Sequence, residues 1–231
     1  MKRFWSNATP LEEAGLYLVQ LDRKVVKMPS GAALAVPYRA LAEAIAQEWD
    51  EAAADFSPDD LPLTQLACTA RERVAAHRPE IIIQLAAYGL NDLLCYRADS
   101  PAPLVSRQHA EWDPWLLWVE TTHGIGLITT NGLMPVSQLS WTKSKLEALL
   151  VPRSDYELAA LGVLVPALGS FVLGLAVAEG ALDPQTACAT AALDELWQAE
   201  QWGEDSTDLT RRAKILADVD AAMRFTRLAR P

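Results

Sequence analysis

The sequence predicts an α+β fold, with a small N-terminal α/β domain of antiparallel strands followed by an all-helical C-terminal domain. Three observations predict it. The first forty residues carry short apolar segments, each with a valine, set between turn residues, whereas from residue 63 onward apolar residues recur at helical spacing. Between the two lies SPDDLP (57–62), a loop segment holding Pro58 and Pro62, which places the expected boundary between residues 1–60 and 61–231. With 231 residues, 51% hydrophobic and 22% charged, the chain is long and apolar enough to bury a core.

Each element follows from local chemistry. GLYLVQL (15–21), KVVKM (24–28) and AALAV (32–36) read as an antiparallel meander, with Asp22-Arg23 and Pro29-Ser30-Gly31 at its turns. Pro37 ends the meander, and Leu41, Ile45 and Trp49 then mark one face of a helix over 38–56. Helices over 63–77 and 79–94 divide at Arg78-Pro79, because proline is tolerated in a first helical turn. YRADSPAP (96–103) reads as a loop, and a tryptophan-rich helix follows near 105–123. Within RQHAEWDPWLLWVE (107–120), Asp113-Pro114 has the form of an N-cap and first-position pair, with Trp112 set to pack on Leu117. Trp115 and Trp118 share a helical face, as core residues or as a recognition surface. Further helices are expected near 135–150, 155–180, 183–203 and 207–229. LAALGVLVPALGSFVLGLAVA (158–178) holds no charge over 21 positions, long enough to cross a bilayer. Pro166 interrupts it, and Asp155, Glu157, Glu179 and Asp183 flank it with the wrong charge, so a buried central helix without membrane insertion is expected.

Composition narrows the function. Thirty acidic against twenty basic residues give a net charge of −10, which disfavours nucleic acid and anionic lipid as partners. Cys68, Cys95 and Cys188 are widely spaced, and His77, His109 and His123 form neither HxxxH nor HExxH, so no metal site is expected and a reducing compartment is the natural setting. The opening MKRFWSNATP lacks the apolar core of a signal peptide and the arginines of a transit sequence, so a bacterial cytoplasm is expected. GxSxG, GxxxxGK[ST] and GxGxxG are all absent. Their absence argues against an enzyme but leaves open a site assembled from distant residues.

Two further stretches carry chemistry. In NDLLCYRA (91–98), Asp92 and Arg97 are spaced to pair across a helix end, while Cys95, with no partnered histidine, reads as a buried free thiol. In DELWQAEQWGED (194–205), Leu193, Leu196 and Trp197 form an apolar helical stripe that runs into Glu200 and Glu204. Trp202 lies on another side, and Gly203 weakens the helix beyond it. Three readings fit: a solvated helix end, carboxylates satisfied by Arg211 or Arg212, or an acidic and aromatic patch that docks a basic protein surface.

The ordered set RFW, GLYLVQLDRKVVKMP, LAEAIAQEWD, LPLTQLACTA, NDLLCYRA, RQHAEWDP, LGSFVLGLA and DELWQAEQWGED resembles the assembly-chaperone family for the F(1) sector of ATP synthase, the branch that acts on the α subunit. The resemblance runs nearly end to end. It implies the same two-part fold, no enzymatic activity, no cofactor and no small-molecule substrate. It implies a protein client, the unassembled α subunit, kept from aggregating until it pairs with the β subunit. By motif match it points to Glu200, Glu204 and Asp205 as partner-binding residues. Trp202 matches as well, and Trp112 and Asp113 of the WDP segment complete the candidate set. The chain departs from the family pattern at Asn91, where threonine is common, and at Gln65 and Cys68, where arginine and asparagine are common. Two other readings remain in view: a hydrolase using Asp92, Asp113 and Glu204 in a cleft, and a general acidic adaptor.

Overall fold

The computed structural model describes residues 1–132 and 135–230. It is α+β, with a small antiparallel sheet near the N-terminus and helices through most of the remainder. The chain divides into two compact units. One comprises Met1–Arg78, Ser154–Ala160 and Ala221–Pro231, the other Pro79–Arg153 and Leu161–Asp220.

The first unit is built on strands β1 (Ala8–Glu13), β2 (Leu16–Leu21), β3 (Lys24–Val25) and β4 (Ala35–Val36). β2 is the hub. It pairs with β1 in the register Thr9 to Gln20, and with both β3 and β4 at its two ends. The meander is therefore modified: β4 lies against β2 at Tyr17 and Leu18 instead of extending the sheet beyond β3. β1 is the strand that sequence pattern misses. Its ATPLEE carries a proline and two glutamates, which an exposed edge strand tolerates and a central one does not. Ala14 and Gly15, both at positive φ, make the tight turn between β1 and β2.

Helix α1 (Arg39–Glu51) buries Leu41, Ala42, Ile45 and Ala46 against β1 and β2. It stops short of residue 56 because Ala54 and Phe56 are taken up by backbone hydrogen bonds to Arg3 and Met1. Trp5, Trp49 and Phe56 meet edge to face beneath this junction. Half-buried Glu48 reaches forward to α2 (Pro62–Cys68), accepting from the Leu63 and Thr64 amides and the Thr64 hydroxyl. Burial raises its carboxyl above the usual range, against those donors. The expected break at Arg78-Pro79 falls slightly earlier. A π-helical turn, Thr69–Val74, leads into α3 (Ala75–Leu90), whose backbone leaves helical geometry at His77, two residues before Pro79.

The second unit centres on α7 (Phe171–Glu179), in which Phe171 to Ala178 are all buried. The long central helix expected over 155–180 is instead two helices, α6 (Asp155–Leu168) and α7. Gly169 at φ +61° turns the chain, and the Ser170 hydroxyl caps the second helix by accepting from the Leu173 amide. Among the described residues no helix is long and apolar enough to cross a membrane. α7 packs against α4 (Ala102–His123) and α8 (Pro184–Ala191), and the unit also holds α5 (Thr142–Leu150), α9 (Leu193–Trp202) and the first part of α10 (Ser206–Leu228). Two-residue strands β5 (Tyr96–Arg97) and β6 (Thr130–Asn131) pair in parallel.

Two local expectations change here. The segment 183–203 breaks between α8 and α9 at Ala192, which leaves helical geometry. Asp113-Pro114 does not begin a helix, since α4 runs through it with Pro114 inside. Trp112 and Gln108, just upstream, are almost completely buried, and burying a large aromatic outweighs the one backbone hydrogen bond that proline cannot make. Leu117, the expected partner of Trp112, is exposed.

Candidate functional site

The site is built around α9, whose two flanks are tied to different helices. α4 holds one flank. Arg107 Nη1 lies 2.7 Å from Glu200 Oε1, and Gln108 Nε2 donates to Asp194 Oδ1 at 2.7 Å. Gln108 also accepts from the Ala98 amide at 2.8 Å, so one buried side chain of α4 joins α9 to the segment just after β5. One turn along, the Trp112 indole donates to the Thr190 carbonyl at 2.9 Å. Arg107, Gln108 and Trp112 serve α8 and α9 together because residues three to five apart project from neighbouring faces of one helix.

Arg97 supports α4 from below. Its guanidinium lies 5.1 Å from the Trp112 ring centroid and donates to the Leu94 and Gln108 carbonyls. The remaining nitrogen, Nη2, stands 2.8 Å from Asp113 Oδ1 as an ion pair without hydrogen-bond alignment. The other Asp113 oxygen is 2.8 Å from His109 Nδ1. The expected pairing of Arg97 with Asp92 is therefore not made. Asp92 caps α7 instead, accepting from the Val172 amide and the Ser170 hydroxyl as well as from Leu94. Burial pushes its carboxyl up to about 6 despite those donors. Cys95 is buried as expected, its thiol pushed up to about 12, which keeps it neutral and poorly nucleophilic.

α10 holds the other flank. Arg211 Nη2 lies 2.6 Å from Glu195 and 3.2 Å from Asp208, and Arg212 pairs with Glu204. α9 ends at Gly203, whose φ of +93° and ψ of 166° suit glycine alone. Asp205 then accepts from the Thr207 amide at 2.8 Å, and these hydrogen bonds hold its carboxyl below the usual range. Asp205 thus starts α10.

The structure sorts the sequence candidates. Trp202 is 80% exposed at the end of α9, beside Glu200 and Glu204, whose carboxylates reach water while leaning on arginines. Asp113 is half exposed on α4, and Asp205 is exposed. Trp112 is fully buried, so it positions α4 and touches no partner of the folded chain. Asp92, Asp113 and Glu204 each serve a different local structure: the start of α7, the Arg97 pair and the Arg212 pair. A hydrolytic pairing of these carboxylates is thereby removed. Arg107 and Gln108 were missed on sequence because their partners lie 93 and 86 residues away.

The chain is similar in sequence and in fold to known proteins. Protein atp12, mitochondrial, of Schizosaccharomyces pombe is 27% identical over 222 residues, covering 90% of this chain and 76% of its own length. The crystal structure of Atp12 from Paracoccus denitrificans superposes with a TM-score of 0.93 at 38% identity, covering 99% of this chain and 98% of that one. A protein of Agrobacterium tumefaciens superposes with a TM-score of 0.94 at 35% identity, covering 99% and 86%. The Agrobacterium tumefaciens protein is described as a candidate chaperone. The sequence pattern of the ATP12 chaperone protein family matches residues 2–120, and the chain belongs to that family.

Proposed function

We propose that this chain is an assembly chaperone for the F(1) sector of ATP synthase, acting without catalysis in a bacterial cytoplasm by binding the unassembled α subunit and preventing its aggregation. Family membership supports a chaperone role. The observation that carries the mode of action is Trp202, 80% exposed and set among Glu200, Glu204 and Asp205 on a helix end braced from both sides. A subunit awaiting its partner exposes an interface that is partly apolar and partly charged, and such surfaces aggregate. An exposed indole supplies contact area, and the carboxylates supply orientation and association rate.

The test is aggregation of isolated α subunit followed by light scattering without ATP. The wild-type chain suppresses it at stoichiometric concentration. Glu204→Lys suppresses it poorly while keeping its circular dichroism spectrum, because the Glu204–Arg212 pair is partly exposed and exposed pairs add little to stability. Unchanged aggregation with the wild-type chain would end the proposal.

A further inference from the structure

An open pocket of about 500 Å³ lies within the first unit, an ordinary size for a binding site. Met28, Trp49 and Leu61 form its apolar wall. The Trp49 indole already donates to the Thr64 hydroxyl at 3.0 Å, so the tryptophan offers the pocket no free polar atom. Methionine is flexible and polarisable, which lets such a wall fit aliphatic or aromatic side chains. The charged residues of the lining are Lys27, Arg73 and Glu72. Glu72 accepts from the Ser30 amide at 3.0 Å. Lys27 and Arg73 are exposed, and among the described residues neither has a carboxylate within ion-pair reach. Arginines elsewhere, Arg107, Arg153 and Arg212 among them, lean on glutamates. Glu48 and Asp60 border the pocket but turn their oxygens elsewhere, Glu48 to Leu63 and Thr64 and Asp60 to the Ser57 amide. Asp59, in the same turn as Pro58, is engaged as well. The lining thus holds two uncommitted cations to one carboxylate, on a chain whose net charge is −10. An uncommitted guanidinium or ammonium beside an apolar wall suits a carboxylate attached to an apolar group.

We infer that this pocket receives an apolar side chain of a client segment, with an aspartate or glutamate beside it pairing with Arg73 and Lys27. No resident ion pair has to break to admit that carboxylate. The contact is opposite in sign to the acidic end of α9, so a client that carries both charges is gripped at two chemically distinct places. The inference goes beyond the α9 site and rests on the chaperone reading for the occupant being a protein segment.

Two measurements on the full chain test it. The first is fluorescence anisotropy with two labelled synthetic peptides that share a core of leucine and phenylalanine. Glutamates flank the core in one and glutamines in the other. The net charge of −10 works against the glutamate peptide except where cations gather, so a preference for it reports such a place. Wild type is expected to prefer the glutamate-flanked peptide by about fivefold or more. Lys27→Gln combined with Arg73→Gln is expected to bind that peptide about tenfold more weakly and the glutamine-flanked one unchanged. Arg23→Gln removes an exposed cation outside the pocket and binds both as wild type does. Gln65→Trp fills the pocket from an exposed position on α2 and is expected to weaken both peptides about tenfold or more. The second measurement is binding of isolated α subunit, expected to fall by about threefold or more in Gln65→Trp. Equal affinity of wild type for the two peptides overturns the inference, as does an equal loss in Arg23→Gln. Self-association of the chain through Lys27 and Arg73, in place of peptide binding, overturns it too. Unchanged α-subunit affinity in Gln65→Trp removes the pocket from client binding. Peptide binding as expected, with no α subunit bound by wild type, keeps the pocket and removes the α subunit as client.

Discussion

Asp92 and the two tryptophans beside carboxylates show what single residues do here. Asp92 is completely buried, and its folded pKa of about 6 stands above the ordinary aspartate value of about 3.9. Between those two values the native state holds more protons than the unfolded chain. The stability this group contributes is therefore full below pH 4 and is lost as pH rises through 6. Asp92→Asn, which does not titrate, lacks that slope. The gap in unfolding free energy between wild type and variant is expected to change by on the order of 2–3 kcal/mol between pH 4 and 7, read from urea titrations. Parallel pH profiles would refute the assignment. The tryptophans part company: Trp112 is fully buried and Trp202 is 80% exposed, although each stands among acidic residues in the sequence. Local spacing left Trp202 unassigned. What separates the two is that Trp112 finds the Thr190 carbonyl and the Arg97 guanidinium, both brought from elsewhere in the chain.

At the scale of elements, the break between α6 and α7 makes close packing possible. A Cβ on Gly174 would stand 3.1 Å from the Val165 backbone, while one on Gly162 would meet nothing within 4 Å. Gly174→Ala is therefore expected to destabilise by about 1–3 kcal/mol, because the backbone it meets cannot step aside. Gly162→Ala, in an open helical position, is expected to stabilise by up to about 1 kcal/mol. Chemical unfolding of the two variants measures both, and equal effects would contradict the packing. α4 shows the limit of local rules. Asp113-Pro114 carries good start chemistry, yet the helix passes through it because upstream burial is worth more than one missing hydrogen bond. β1 was likewise illegible, since an edge strand needs little of the alternation that marks a buried one.

At the scale of the whole chain, charge governs encounter more than fold. With a net charge of −10 and carboxylates gathered around α9, association with a basic client surface is expected to be steered electrostatically. Its rate constant should fall by on the order of tenfold between low and high ionic strength, as the screening length contracts. Glu204→Lys should show a shallower salt dependence than wild type in stopped-flow fluorescence, and a salt-independent wild-type rate would argue that apolar contact alone drives association. Because the exposed pairs on α9 add little to folding, such variants separate binding from stability.

The sequence by itself determined the fold class, the helical extent of the C-terminal part, the helix stripe of Leu193, Leu196 and Trp197 that runs into Glu200, and the family, whereas Glu204, expected on the same stripe, lies beyond the end of the helix. Each is encoded in periodicity, turn residues or ordered motifs that stay within a few residues of one another. Only the tertiary structure decided which carboxylates lean on which arginines, that Asp92 caps α7 from about eighty residues away, and that Trp112 is core while Trp202 faces water. It also brought residues of α6, α8, α9 and α10 around one shared groove. The reason is physical: burial and ion pairing depend on partners distant in the chain, and no local window of sequence contains the free energy they contribute.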